Sequence, residues 1–459
     1  MSQKTDIARN LCFHMLTEVF NDTAYSNIVI QKSLRSTRLT SQEKSFTVAM
    51  FYGTITRVHT LDYYLQKNLK KKYTTLDSDV HTILRMGLWQ LMYAHSVPPF
   101  AAVNETVKVA KLYTNEGGVR LVNAVLRTLA KECEDGVIDP ENSRFDVKYS
   151  LNKELSGCMI KWFGQEKAEK IAAAFLKDPS VTARVNRLRG TKQDLAEALN
   201  RDGVDTEDGL FMEEALRLTL NGHAVYELSG FHDGLFMIQD EGAMLASYIL
   251  SPVKGQKVLD VCSAPGGKTC HIAELMEDQG KLTALDLNEI RLNMVAQNQE
   301  RLGLTCIETA AADARNLADE FPQYLSYYDD VLADVPCSGL GLLLRKPDIR
   351  LTMTYEKMQE LLPLQADILN QAAQFVRPGG TLVYSTCTIN PRENGEQADS
   401  FLASHNDFEE YPFDNILPAG LSRLDPGHID TALHGRLQLL PDVDGCDGFF
   451  IARFRRKEI

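Results

Sequence analysis

Apolar residues recur at every fourth position near the start of the chain, where Ile7, Leu11, Met15 and Val19 fall on one face of a helix. Similar patterns run through residues 43–65, 76–94 and 101–113, and residues 120–132 (RLVNAVLRTLAKE) add another, with no alternating strand pattern between them. The series predicts an all-α bundle over residues 1–140. The stretch 134–145 (EDGVIDPENSRF) is rich in acidic residues, Gly, Pro, Asn and Ser, the texture of a connector. Beyond it, residues 146–180 read as helical. VTARVNRL (181–188), a helix around 191–201 and VYELSG (225–230) then suggest a small α+β module over 141–228. From Val258 the period changes, and short apolar runs (KVLDVC, KLTALDL, TCIETAAAD, VLADVP, GGTLVYSTC) alternate with helical patterns. That alternation predicts a doubly wound, Rossmann-like α/β domain over 229–459.

A chain of 459 residues exceeds what one core holds, which agrees with several domains. The formal charge of −13 argues against gripping nucleic acid over the whole surface, because phosphate binding needs local positive charge. The charge is uneven: residues 1–140 hold 17 Lys/Arg against 13 Asp/Glu, which points to an N-terminal RNA contact. Lys4, Asp6, Arg9 and Glu18 stand where a signal peptide needs an apolar run, and no long apolar stretch suggests a membrane span. The expected compartment is the cytosol. The nine cysteines form no C-x-x-C pair and no Cys/His cluster with zinc spacing, so no metal site is expected.

Residues 258–269 (VLDVCSAPGGKT) read as a strand that ends in a Pro-Gly-Gly loop and enters a helix directly. Gly266 and Gly267 let backbone approach a ligand, and the helix start offers free amides; a plain tight turn explains the glycines equally well. Two further features favour a cofactor. Asp286 ends the next strand, about 20 residues on, where a ribose-binding acid sits in such sheets, and Asp313 ends the strand after that. Either aspartate alone could cap a helix. The G-x-G-x-x-G spacing of a dinucleotide site and the G-K-[ST] of a P-loop are both absent, so S-adenosylmethionine fits better than NAD or ATP.

The fourth strand ends in Asp334-Val335-Pro336-Cys337-Ser338-Gly339 and the fifth in Tyr384-Ser385-Thr386-Cys387-Thr388. A lone cysteine is usually a buried apolar residue; two at neighbouring strand ends beside a cofactor loop point to chemistry. Carbon 5 of cytosine becomes nucleophilic only after something adds to carbon 6, and a thiolate suits that addition. A base must afterwards remove the hydrogen on carbon 5 so that the thiol can leave.

With these motifs in order, the chain resembles the RNA 5-methylcytosine methyltransferases, in particular the Sun/Fmu type that acts on small-subunit (16S) ribosomal RNA. The matching stretches are DVCSAPGGKT, DVPCSGLG, RKPDI (345–349), YSTCTINPRENGEQ (384–397), FHDGLFMIQDE (231–241) and DGFFIARF (447–454). At the front, VPPFAAVNETV (97–107) and LVNAVLR (121–127) resemble the NusB-like helical domain of that subfamily, so the likeness covers almost the whole chain. It implies a NusB-like RNA-binding domain, a small RNA-binding or linker module and a class I methyltransferase domain. It further implies that Cys387 bonds to carbon 6, that Cys337 assists elimination, that Asp334 holds the cytosine edge and lies near the methyl donor, and that Lys268 sits between carboxylates, where its charge lowers a thiol pKa. Asp286 is implied for the ribose and Asp313 for the adenine; with Cys262, Ser263, Ala264, Pro265, Gly266, Gly267, Lys268, Arg291 and Asp334 they make the expected cofactor-binding set. Leu344 departs from the pattern, since relatives often carry a basic residue there, and one phosphate contact is expected to be missing or moved.

The basic groups first suspected of touching RNA are Arg184, Arg187 and Arg189 in the middle module and Lys70, Lys71 and Lys72 in the first domain; a solvated face is the alternative for each. A transfer RNA substrate is a second reading of the same chemistry, which the NusB-like front opposes. Intact Cys337, Cys387, Asp334 and Lys268 oppose a noncatalytic ribosome-assembly protein, and the missing dinucleotide fingerprint opposes an NAD-dependent oxidoreductase. A monomer is expected, because enzymes acting on large RNAs need an open face.

Overall fold

The structure, a computed structural model, describes residues 6–22, 24–69 and 75–458. The chain forms two compact units, Met1–Leu176 with Arg345–Thr354, and Lys177–Leu344 with Tyr355–Ile459.

The first unit is helical: α1 (Ile7–Asp22), α2 (Ser26–Ser36), α3 (Ser41–Thr56), α4 (Val58–Lys67), α5 (Ser78–Tyr93), α6 (Pro99–Tyr113), α7 (Glu116–Glu134), α8 (Phe145–Lys148), α9 (Lys153–Phe163) and α10 (Gln165–Ala174). The helix starts follow from local chemistry. Thr40 and Glu43 form a capping box on α3, Asp77 and Asn115 cap α5 and α7, and Pro99 opens α6. A spacing of four overshoots the 3.6-residue turn, so the stripe expected on α1 drifts: Ile7 is 49% exposed while Cys12, Met15, Leu16 and Val19 are buried. The pattern over 43–65 is two helices, broken at Arg57, and α2 was not anticipated. The expected boundary near residue 140 moves, because the acidic connector folds back. Val147 joins the helical core and its carbonyl accepts from Thr60 Oγ1 at 2.6 Å, while Ser150 Oγ accepts the His59 amide at 3.1 Å.

The second unit begins with β1 (Val181–Val185), α11 (Lys192–Arg201), β2 (Asp205–Asp208), β3 (Ala215–Thr219) and β4 (Phe236–Ile238), an antiparallel sheet of order β2-β3-β1-β4. Residues 225–227 of VYELSG form one 3-10 turn. There follow along the chain α12 (Glu241–Leu250), β5 (Lys257–Asp260), α13 (Gly267–Leu275), β6 (Lys281–Asp286), α14 (Glu289–Leu302), β7 (Ile307–Ala311), α15 (Leu317–Glu320), β8 (Tyr328–Asp334), then α16 (Ile349–Thr352), which is part of the first unit, and again in the second α17 (Tyr355–Phe375), β9 (Val376–Thr386), α18 (Gly395–Ser404), β10 (Phe408–Glu410), α19 (Ala419–Leu424), α20 (Gly427–Leu433), β11 (Arg436–Leu439) and β12 (Phe449–Arg456). All five apolar runs expected as strands are β5 to β9, and they pair in parallel in the order β7-β6-β5-β8-β9. β12 extends the sheet antiparallel to β9 and carries β10 and β11 on its other side. From β5 the chain winds outward to β7 and then returns to lay β8 on the other flank of β5. The strand order therefore reverses between β5 and β8, and the crevice at their carboxyl ends is where such a sheet takes ligands.

The RKPDI segment, including α16, belongs to the helical unit. Asp348 accepts a hydrogen bond from Ser26, and the fully buried Arg350 donates to the carbonyls of Tyr149 and Ser150 (3.1 Å each) and Phe175 (3.0 Å). Burial pushes the Arg350 guanidinium down to about 9, with Arg57 adding to the effect.

Candidate active site

Two strand ends meet at the reversal point. On the β5 side, Asp260 is buried and its Oδ2 accepts from Thr269 Oγ1 at 2.7 Å, which ties the strand to the first turn of α13. Burial first, and then nearby Asp334, push the Asp260 carboxyl up to about 7. Between them the loop 262–266 is held by backbone: Ser263 N–H donates to the Leu285 carbonyl at 2.7 Å and Gly266 N–H to the Ser263 carbonyl at 2.8 Å. Gly266 caps α13 with φ of 103°, and a Cβ there would meet Val295 Cα at 3.2 Å, so both conformation and space call for glycine.

Asp286, at the end of β6, is buried. Its Oδ2 accepts from Ala264 N–H at 3.3 Å and faces Arg291 Nη1 at 3.4 Å, and its Oδ1 accepts from Asn288 N–H at 3.0 Å. Arg291 Nη2 also donates to the Ala264 carbonyl at 2.8 Å, so one arginine locks loop and acid together. Asp313, after β7, pairs with Arg315 at 2.6 Å, and that hydrogen bond holds its carboxyl below the ordinary range.

On the β8 and β9 side, Lys268 Nζ lies 2.8 Å from Asp334 Oδ2, and Asp334 Oδ1 accepts from Ser385 Oγ at 2.7 Å. Burial opposes the Lys268 ammonium, yet Asp334, the Cys387 sulfur and Asp260 outweigh it and raise the lysine above its ordinary value. Cys337 Sγ and Cys387 Sγ are 3.1 Å apart and both residues are half-buried. The hydrogen bond with Cys387 and burial push the Cys337 thiol well above its usual value, with the Cys387 and Glu393 charges adding to it.

The structure thus brings together Lys268, Asp334, Cys337 and Cys387 in one cluster, and Asp286 and Arg291 on the 262–266 loop. It does not bring Arg184 to a surface. That residue is fully buried, pairs bidentately with Glu274 (2.7 and 3.2 Å), contacts Gln239 and donates to the Gly267 carbonyl at 2.9 Å. An RNA contact through Arg184 is therefore corrected: an arginine facing inward from β1 finds its counter-charge on α13. Arg187 is exposed, and Arg189 is exposed with Nε donating to the Leu302 carbonyl at 3.3 Å. Lys70, Lys71 and Lys72 lie outside the described residues. Sequence reasoning passed over Glu393, Gln365 and Asp260. A glutamate inside the quoted TINPRENG stretch, between residues that fold inward, was the available signal for the first.

The donor set fits S-adenosylmethionine. A buried carboxylate ends β6, free amides open α13, and the buried Ser263 hydroxyl has no hydrogen-bond partner among the described residues. Sheet order, glycine loop and strand-end acids together define a class I, S-adenosylmethionine-dependent methyltransferase.

Residues 6–131 match the NusB family, 157–224 the ferredoxin-like domain of RsmF/B-like methyltransferases, and 247–455 the 16S rRNA methyltransferase RsmB/F family. The probable ribosomal RNA small subunit methyltransferase B of Synechocystis is 36% identical over 98% of this chain and 99% of its own. That of Bacillus subtilis is 35% identical over 99% and 100%. The solved structure of a methyltransferase homolog protein from Pyrococcus horikoshii is 28% identical, with a TM-score of 0.57 over 68% of this chain and 97% of its own. The chain belongs to the ribosomal RNA small subunit methyltransferase B family.

Proposed function

We propose that the protein methylates carbon 5 of a cytosine in small-subunit ribosomal RNA through a covalent bond between Cys387 and carbon 6. The observation that carries this reading is the pair of thiols 3.1 Å apart at adjacent strand ends, beside the Lys268–Asp334 pair. Cys387 adds to carbon 6, which makes carbon 5 nucleophilic. S-adenosylmethionine, when bound, supplies the methyl group. Cys337 then takes part in removing the proton on carbon 5, and the carbon–sulfur bond breaks.

Asp286 and Arg291, with the amides of 262–267 and the Ser263 hydroxyl, hold the donor; Asp313 faces its adenine and Asp334 the cytosine edge. The helical domain, of the NusB family, supplies the ribosomal RNA contact, to which exposed Arg187 and Arg189 add. The names of the relatives favour a small-subunit ribosomal RNA substrate over transfer RNA.

A short RNA carrying 5-fluorocytosine tests the chemistry, because fluorine cannot leave as a proton and the adduct persists. The expected outcome is a denaturation-resistant complex whose cross-linked peptide contains Cys387. A complex through another residue, or methylated product without any adduct, would overturn the assignment.

A further inference from the structure

Two cysteines in contact pose a question that their positions alone do not answer: which one keeps the proton while the other attacks. The surrounding charges are not symmetric. On one side stands the Lys268 ammonium, within the field of Cys387 and paired with Asp334. On the other stands Glu393, fully buried. Its Oε2 accepts from the amide of Ser338, the residue after Cys337, at 2.8 Å and from Gln365 Nε2 at 2.9 Å, and its Oε1 accepts from Asn390 Nδ2 at 2.8 Å. Every partner donates, the pattern of a carboxylate. Three elements converge on this one side chain: the loop after β8, the middle of α17 and the loop after β9. Gln365 also donates to the Pro336 carbonyl at 3.0 Å, and Ser338 Oγ meets Thr388 Oγ1 at 2.7 Å, so both cysteine loops are fastened to the same frame.

We propose that Glu393 is a positioning residue that sets the contact between the two cysteine loops and keeps the shared proton on Cys337, leaving Cys387 as the thiolate that attacks. The inference rests on the cysteine roles proposed above. An anion behind Cys337 disfavours a second negative charge there, whereas the cation beside Cys387 favours one. The other ionisable groups around the cluster are Asp334 on β8, Asp260 on β5 and Tyr384 on β9. Asp334 is paired with Lys268 at 2.8 Å, burial raises Asp260 to about 7, and burial raises Tyr384 well above its usual value.

The proton balance closes. Attack forms the Cys387 sulfur–carbon 6 bond and shifts the ring electrons so that nitrogen 3 takes up the Cys337 proton and carbon 5 becomes an enamine carbon, whose electron pair takes the methyl group. After methyl transfer the Cys337 thiolate removes the proton from carbon 5, the carbon–sulfur bond breaks, and Cys387 departs as thiolate. The pair returns to its starting state, and one proton leaves with the methylated base for solvent.

The test is site-resolved mass spectrometry of the full-length protein after brief iodoacetamide treatment at neutral pH. In the wild type, label accumulates on Cys387 over Cys337 by about tenfold or more, since each pKa unit between two thiols is a factor of ten in thiolate. E393Q should bring the two within about threefold and lower kcat on the order of ~10²-fold, as misplacement of reacting groups does, while leaving the KM for S-adenosylmethionine within about threefold as a check on folding. Q365L removes a donor but not the charge, and should keep the preference for Cys387. Equal labelling in the wild type, an unchanged preference in E393Q, or a loss of preference in Q365L matching that in E393Q would each overturn the role of Glu393. None of these outcomes affects the 5-fluorocytosine adduct on wild-type Cys387, whose failure would instead remove the reading beneath it.

Discussion

The proposed cofactor half and the thiol half of the site lie side by side on one sheet edge but are built differently. On the cofactor side the loop 262–266 is held by backbone groups and by one acid and one arginine, Asp286 and Arg291, from the next strand and helix. On the thiol side Cys337 and Cys387 lie 50 residues apart in sequence, and their loops are fixed by side chains, with Glu393, Gln365, Ser338 and Asn390 bonding across three elements. Backbone-built sites tolerate changes of neighbouring side chains and are sensitive to glycine replacement; side-chain networks fail when any buried member is lost. Binding of the donor and chemistry on the base should therefore separate cleanly under mutation.

The largest separation is expected from Cys387→Ala. It should abolish methyl transfer, a loss of at least ~10³-fold of the kind seen on removing a nucleophile, while the dissociation constant of S-adenosylmethionine measured by calorimetry stays within about twofold. Parallel loss of both would join the two halves again. Cys337→Ala should instead leave attack possible and slow release, so that enzyme bound to RNA survives denaturing electrophoresis. Absence of such a band would remove Cys337 from the elimination step.

The converse variant is Asp286→Ala, which should raise the cofactor dissociation constant by ~10- to 100-fold, the scale of lost hydrogen bonds to a charged acceptor. Its yield of 5-fluorocytosine adduct at saturating cofactor should remain near that of wild type. An unchanged constant would move the ribose contact elsewhere.

The smallest effect concerns stability and lies below the site. Asp330 on β8 is buried, its Oδ2 has no partner among the described residues, and burial pushes its carboxyl up to about 7. At acid pH it is protonated in folded and unfolded chains alike. As pH rises past the ordinary carboxylate value, the unfolded chain gains by ionising and the folded chain does not until about 7, so stability is lost across that window. Asp330→Asn should match wild type near pH 4 and exceed it at pH 8 by about 1–3 kcal/mol. Thermal denaturation at both values measures the gap, and a constant difference would contradict the burial argument.

The same contrast explains what could be read from the sequence. All five parallel strands and the glycine loop were legible because period, glycine placement and strand-end acids are local signals, and the helical bundle was legible from its stripes. The antiparallel β12 closing the sheet, the inward turn of Arg184 and the convergence on Glu393 were not. Each depends on partners tens of residues away: Phe450 opposite Thr386, Arg184 against Glu274, Ser338 against Glu393. Arg184 shows the cost of reading charge alone. Three arginines in six residues suggest one basic face, but β1 is buried on both faces over 182–185, which puts the first in the interior, and the other two follow the strand and stay exposed.

The most direct test of the central claim is to incubate the purified protein with tritium-labelled S-adenosylmethionine and unmodified small-subunit ribosomal RNA, with transfer RNA in parallel, and to digest the products to nucleosides. Label in 5-methylcytosine from the ribosomal RNA is the predicted result. Label in any other nucleoside would contradict the thiol chemistry, and label from transfer RNA alone would contradict the ribosomal substrate.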